Sequence, residues 1–249
     1  MNEYSNKRAL CNIVVALILT IGVIVSSVIM INGVVKVKSS KTNIIVTGSA
    51  KQKITSDLIV WTGSFNSQSH ELQDAYAKLE VSRNKVSAYL VKQGIGEDDF
   101  VFSSINTTIN YVMNDMGNYT NEIDNYGLSQ TVTISSSEID KITEISRNAT
   151  ELLNEEVEFQ SFPPQYFYTK LADLKVSMLA EATKDAKKRG KMIAENAGNH
   201  LGDLKYADMG VMQITPLYSN EIADSGINDT TSLEKEITAV VHCQFEIEK

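Results

Sequence analysis

Cysteine occurs only at Cys11 and Cys243 in a chain of 249 residues. One opens an apolar run and the other lies in a C-terminal strand pattern, so a disulfide framework is excluded, and no metal-ligand spacing accompanies either. Histidine is nearly as scarce. His70, His200 and His242 fall on three separate predicted elements, and HExxH is absent. Zinc needs clustered ligands, so no metal site is expected. The GxSxG elbow of serine hydrolases, the GxGxxG dinucleotide fingerprint and the GxxxxGK[ST] phosphate loop are all missing. Proline appears three times, twice together at Pro163-Pro164, where the pair closes a short strand. The expectation is a chain without a catalytic residue, a cofactor or a metal ligand.

Basic charge is short over most of the chain. The net charge is −8, but residues 1–41 hold Lys7, Arg8, Lys36, Lys38 and Lys41 against Glu3 alone. The remainder carries 18 basic and 30 acidic residues, a net of −12. Nucleic-acid binding needs a basic surface, so that partner class is excluded.

One long apolar run is present. Ile13–Ile31 has 19 residues and no charge. As a helix it would rise roughly 28 Å, about the thickness of a hydrocarbon core. No small-x-small cleavage pattern follows it, and the cysteine precedes it, the wrong side for a lipoprotein signal. The sequence therefore divides into a tail (1–12), a single-pass signal anchor (13–31), a linker (32–42) and one domain (43–249), with the membrane as a partner. Charge counting slightly favours a cytoplasmic domain, a weak rule for large domains.

The domain alternates strand and helix patterns. Ile44–Ala50 and Asp57–Phe65 are rich in β-branched and aromatic residues, with Lys51–Ser56 between them. A helix is predicted from about Ser69 to Lys92, with Leu72, Tyr76, Leu79, Val86 and Leu90 as its stripe. A strand over Phe100–Val112 leads to a polar loop, Met113–Asn125, and a strand marked by Tyr126, Leu128, Val132 and Ile134. Ser137–Asp140 resembles a capping box and opens a helix through Leu152. Val157 and Phe159 mark a short strand. A further strand, Leu204–Thr215, precedes a second polar loop, Pro216–Glu234. In the last strand Ile237, Ala239, Val241, Cys243, Phe245 and Ile247 share one parity. The order is ββαββαβαββ, an α+β fold of largely antiparallel sheet with about three helices, preceded by the transmembrane helix.

Between these strands lies the most organised stretch, Leu171–Gly202. Leu174, Met178, Ala182, Ala186, Gly190, Ala194 and Gly198 repeat every four residues, a continuous ridge that lets another element approach closely. Gly190 costs about 1 kcal/mol against alanine inside a helix, which calls for a packing reason. Gly198 is placed to end the helix.

Glu97, Asp98 and Asp99 are adjacent acids read as a solvated loop. Asp224–Glu234 lacks the central glycine and the twelfth-position glutamate of a calcium loop. Sequons at Asn106, Asn118, Asn148 and Asn228 fit chance in a chain this rich in Asn, Ser and Thr. Trp61 and Phe65 share a parity and read as core. The two polar loops exceed about 12 residues, a length that marks functional or disordered segments, and they are expected to be the least ordered parts and the partner-contact surface.

The motifs in order resemble the SIMPL family, also called DUF541. VTGSA at Val46–Ala50, a helix ending in Gln93–Ile95, EDDF at Glu97–Phe100, Tyr126–Val132 and the Ala-rich run Asp185–Gly198 with Leu201–Gly202 carry the likeness, over roughly Ile44–Ile247. Gly190 stands where that family usually has alanine. The resemblance implies an envelope-facing, extracytoplasmic domain, sometimes a homo-oligomer, associated with envelope or oxidative-stress phenotypes. It brings no catalytic residues. A non-enzymatic membrane-anchored protein acting by oligomerisation or binding is the expectation, and an extracytoplasmic small-ligand-binding or sensory module is the alternative.

Overall fold

The computed structural model describes residues 17–31 and 42–248. Helix α1 covers 17–31 and is exposed throughout. Among the described residues no helix is long and apolar enough to cross a membrane. Residues 13–16 of the expected span, and the linker apart from Thr42, lie outside the described residues.

The domain runs β1 (Asn43–Thr55), β2 (Leu58–Ser69), α2 (Leu72–Lys92), β3 (Phe100–Phe102), β4 (Asn106–Met113), β5 (Tyr119–Ser136), α3 (Ile139–Asn148), β6 (Glu158–Ser161), β7 (Gln165–Phe167), α4 (Leu171–Asn196), β8 (His200–Met209), β9 (Gln213–Pro216) and β10 (Glu234–Glu248). Two 3-10 turns, Glu97–Asp99 and Ala149–Glu155, follow α2 and α3. The α+β class and the antiparallel sheets are as expected. Among the described residues there are four helices, α1 and three in the domain, and three more strands than expected.

The extra strands have local causes. The expected strand 100–112 breaks at Ser103, whose carbonyl accepts the Gln130 side chain at 2.6 Å while its amide bonds Thr131 O at 2.9 Å. The expected strand 204–215 breaks where the Gly210 amide turns to Val240 O at 2.9 Å. β7 is a three-residue strand that sequence periodicity is too short to reveal. The Ser137–Asp140 capping box does not form: Glu138 is the N-cap residue without a side-chain cap, and its amide donates to Ser136 Oγ at 3.0 Å. On α2, Leu72 and Tyr76 are exposed, and the buried stripe is Ala75, Leu79, Ser82, Val86, Tyr89 and Leu90.

By contact density the chain forms two compact units, one of Met1–Val46, Lys187–Ala207 and His242–Lys249, the other of Thr47–Ala186 and Asp208–Val241. The larger holds a six-stranded sheet, β3-β5-β2-β6, with β4 on β5 and β7 on β2. Trp61, Phe65, Ile59, Val132 and Ile134 of this sheet are fully buried against Leu79, Val86 and Leu90 of α2 and Ile142 of α3. Each such large apolar side chain contributes about 1.5–3 kcal/mol. Trp61 Nε1 donates to Ser161 Oγ at 3.0 Å, which satisfies its buried N–H. The second sheet is four-stranded, β1-β10-β8 with β9 also on β10. Its residues Ile237, Ala239, Val241, Cys243 and Phe245 are buried on the expected parity.

The ridge of α4 is buried: Leu174, Met178, Ala182, Ala186, Gly190 and Ala194 all face inward. Its smallness has a structural reason in the larger unit. A Cβ on Gly48 of β1 would lie 2.1 Å from Ala182 O and 2.5 Å from Ala186 N, so strand and helix backbones are nearly in contact. In the smaller unit the corresponding neighbours of Gly190 are Leu201 and Val46, at 3.2 and 3.4 Å. The helix ends as expected, with Gly198 at φ +74° and the amides of Gly198 and Asn199 returned to Glu195 O and Ala194 O.

Candidate functional site

The three histidines lie apart, His70 between β2 and α2 and the others on β8 and β10. His70 is exposed and its Nδ1 lies 2.5 Å from Asp124 O; His200 is exposed at the start of β8 and His242 faces out from β10. Glu97–Asp99 form an exposed turn in which Asp99 Oδ2 accepts the Gly96 amide at 3.2 Å. Among the described residues no group of three or more His, Cys, Asp or Glu is placed to hold a metal. Trp61 and Phe65 are core residues, as expected.

Three features of the larger unit are organised beyond what its fold requires. The first is an arm. The expected loop 113–125 is instead the far end of a hairpin in which β4 and β5 pair from Asn106↔Ser129 to Met113↔Tyr119. A turn at Asn114 closes it: Asn114 Oδ1 accepts the amides of Met116 and Asn118 at 3.1 and 2.9 Å, and Gly117 sits at φ +79°. Residues directly opposite share a face of a ladder. The opposed pairs Ile109–Tyr126, Tyr111–Ile123 and Met113–Tyr119 therefore line one apolar face, while Asn110 Nδ2 bonds Asn125 Oδ1 on the other. Ile109, Tyr111, Met113, Tyr119 and Ile123 are 42–73% exposed, and Met116 at the tip is 83% exposed.

The second is a cleft of about 490 Å³ beneath residues 219–224 of the second polar loop. Its floor is Lys51, Thr215, Glu236 and Thr238, with Val211 and Val240 supplying apolar wall, and Lys51 Nζ pairs with Glu236 Oε1 at 2.7 Å. The loop is not free. Gln213 Nε2 donates to Ala223 O at 2.8 Å, Gln213 Oε1 accepts the Ile227 amide at 2.9 Å, and Asn228 bridges Ile214. The expectation that 216–234 is among the least ordered parts must be tempered by these ties.

The third is a buried lysine. Lys235, 3% exposed, donates from Nζ to Tyr166 O at 2.6 Å and to Asp229 O, so one ammonium fastens the loop to β7. A cavity of about 60 Å³ lies beside it, lined by Ile54, Tyr166, Leu171, Ile214 and Asp229. Burial pushes the Lys235 pKa below the ordinary lysine value, against the opposing charge of Asp229. Burial also opposes ionisation of Asp229, but the Thr231 hydroxyl and amide, Ser232 and Lys235 outweigh it and hold that carboxyl below its ordinary value. This residue was missed in the sequence, although it shares the odd parity of Ile237 and Ala239 that marks the buried face of β10.

The cleft offers one ion pair and hydroxyls, the lysine is consumed by backbone carbonyls, and the arm presents apolar surface.

No curated protein is matched by the chain. Among solved structures, it is similar to an amidase of the hydantoinase/carbamoylase family from Burkholderia phymatum at 11% identity, with a TM-score of 0.28 over 47% of this chain and 30% of that one. The match therefore spans less than a third of the amidase chain. The family model named SIMPL, described as a protein of unknown function (DUF541), matches residues 44–245, from β1 into β10, and the chain belongs to the SIMPL family.

Proposed function

We propose that the chain is a membrane-anchored SIMPL protein whose domain lies outside the cytoplasm and works by binding and assembly, without catalysis, in the cell envelope, where it serves stress defence. The observation that carries the assembly reading is the β4–β5 arm, an apolar face held out from the core. Contiguous exposed apolar surface of this kind marks interaction sites. The anchor rests on the uncharged run Ile13–Ile31, and the extracytoplasmic placement on what the resemblance to the SIMPL family implies.

Two measurements test this reading. A reporter fused after Lys249 should be active only outside the cytoplasm, and activity confined to the cytoplasm refutes the topology. Sedimentation equilibrium of the full chain in detergent should give a defined multiple of 27.5 kDa protein mass; a monomer at all concentrations refutes assembly.

A second reading, an extracytoplasmic small-ligand-binding module, is favoured by the cleft under 219–224, whose volume suits a small molecule. A metabolite that raises the melting temperature of the wild type, and no longer does so after Glu236→Ala, would support it.

A further inference from the structure

We propose that the arm is a self-association surface whose occupant is a second copy of this chain, added strand to strand along the outer edge of β4. The inference rests on the assembly reading above and names its surface and partner.

The edge of β4 is unguarded. Natural sheet edges are blunted by charge, proline, bulges or covering segments. Asn106–Met113 carries no charged residue and no proline. The register shifts along the hairpin place the extra residues on β5, which leaves β4 regular. Among the described residues β4 pairs with β5 alone. Elsewhere in the larger unit, residues 227–229 bond Ile214 along β9, Thr230 O accepts the Tyr166 amide of β7 at 2.7 Å, and Asp185 Oδ2 accepts the Ser49 amide of β1 at 2.9 Å.

Charge selects the occupant. No Lys or Arg occurs between Lys92 and Lys141, whereas Asp115, Glu122 and Asp124 lie on the arm. An anionic lipid surface would be repelled by such a segment. A charged peptide would find no counter-charge along β4 itself. A two-fold axis beside β4 brings identical uncharged strands together, so the contact is self-complementary without opposing like charges.

Pairing along β4 would give partners to the free N–H and C=O groups of its outer edge, and would set Ile109, Tyr111 and Met113, 42–55% exposed, beside side chains of the second copy on the same face of the extended ladder.

The test uses the full chain in detergent, with mass read by sedimentation equilibrium. Ile109→Lys/Tyr111→Lys should weaken association a hundredfold or more with an unchanged unfolding midpoint. Leu153→Lys, at an exposed apolar site in the 3-10 turn Ala149–Glu155, should leave it intact. Independently, Tyr111→Cys in a Cys11→Ser background should cross-link between copies with a short bismaleimide, since Cys243 is buried and does not react. An assembly that ignores the double substitution and gives no cross-link overturns this inference alone. A wild-type monomer at every concentration overturns it together with the assembly reading. A monomer that binds phospholipid vesicles through Tyr111 and Met116 overturns it in favour of a membrane contact.

Discussion

Gly48→Ala adds one methyl group where β1 meets α4, and the structure sets its consequence. The new Cβ would fall 2.1 Å from Ala182 O, 2.5 Å from Ala186 N and 2.7 Å from Ala186 Cβ. Ordinary carbon contacts begin near 3.5 Å, so strand or helix must move by about 1 Å. The two closest atoms are backbone, part of the hydrogen-bonded frame of a 26-residue helix, and cannot rotate aside. Replacing glycine by alanine at an unstrained position stabilises by about 0.4–1 kcal/mol through the unfolded chain. Overpacking costs about 1–3 kcal/mol, and an immovable obstacle puts this site at the upper end. The net expectation is a loss of about 2 kcal/mol, or roughly 4–8 °C in melting temperature for a domain of this size. Urea denaturation followed by circular dichroism gives the energy directly. Ala186→Gly should fail to rescue it, because the nearest contacts are main-chain atoms. An unchanged or raised midpoint for Gly48→Ala would refute the close approach and leave the small-residue ridge without its explanation.

Ala186→Phe should cost about 1–3 kcal/mol by overpacking the same fully buried site, read as a lower urea midpoint. Lys235→Met removes the two hydrogen bonds to Tyr166 O and Asp229 O and should cost about 1.5–3 kcal/mol, with faster amide exchange over residues 217–233. Wild-type stability should also rise as pH climbs from the lowered Lys235 pKa towards the ordinary lysine value, because there the unfolded chain holds a proton the fold does not; the variant should lack that rise. Asp57 accepts the Thr169 amide at 2.7 Å and hydroxyl at 2.8 Å; burial opposes its ionisation, but these bonds outweigh burial and hold its carboxyl below the ordinary value. Its contribution is therefore present above the ordinary carboxylate range and lost as pH falls through the folded value, and Asp57→Ala should cost about 1–2 kcal/mol at neutral pH with a flatter acid limb in melts recorded between pH 5 and 2.

Periodicity made parts of this fold readable in advance. The α4 ridge and the alternation from Ile237 to Phe245 are long regular repeats, and both faces are buried as their periods require. Short or interrupted segments were opaque for equally physical reasons. The breaks at Ser103 and Gly210 come from partners distant in sequence, Thr131 with Gln130 and Val240, which no local window contains. The arm has the Asn, Asp and Gly composition of a loop, while its ladder is made by backbone groups that composition does not report. Its apolar residues Tyr111, Met113, Met116 and Tyr119 were nevertheless visible as out of place in a solvated linker. Lys235 is hidden because a charged residue between Glu234 and Glu236 suggests solvent, although the parity of Ile237, extended by one step, turns it inward.

The last strand of the chain, β10, is the sheet neighbour of the first, β1. About 180 residues separate them, so β1 emerges long before the strand that completes its ladder. At about 5–20 residues per second of synthesis that interval is on the order of ten to forty seconds. The six-stranded sheet has no such delay, since β2 through β7 lie in the intervening chain. A nascent chain would therefore carry its N-terminal strand unpaired while the middle of the molecule is already able to collapse, and closing so long a loop late makes the final ladder the slow step. Truncation at the C-terminus, even by the length of β10 alone, removes the partner of β1, β8 and β9 together and leaves three strands without a neighbour.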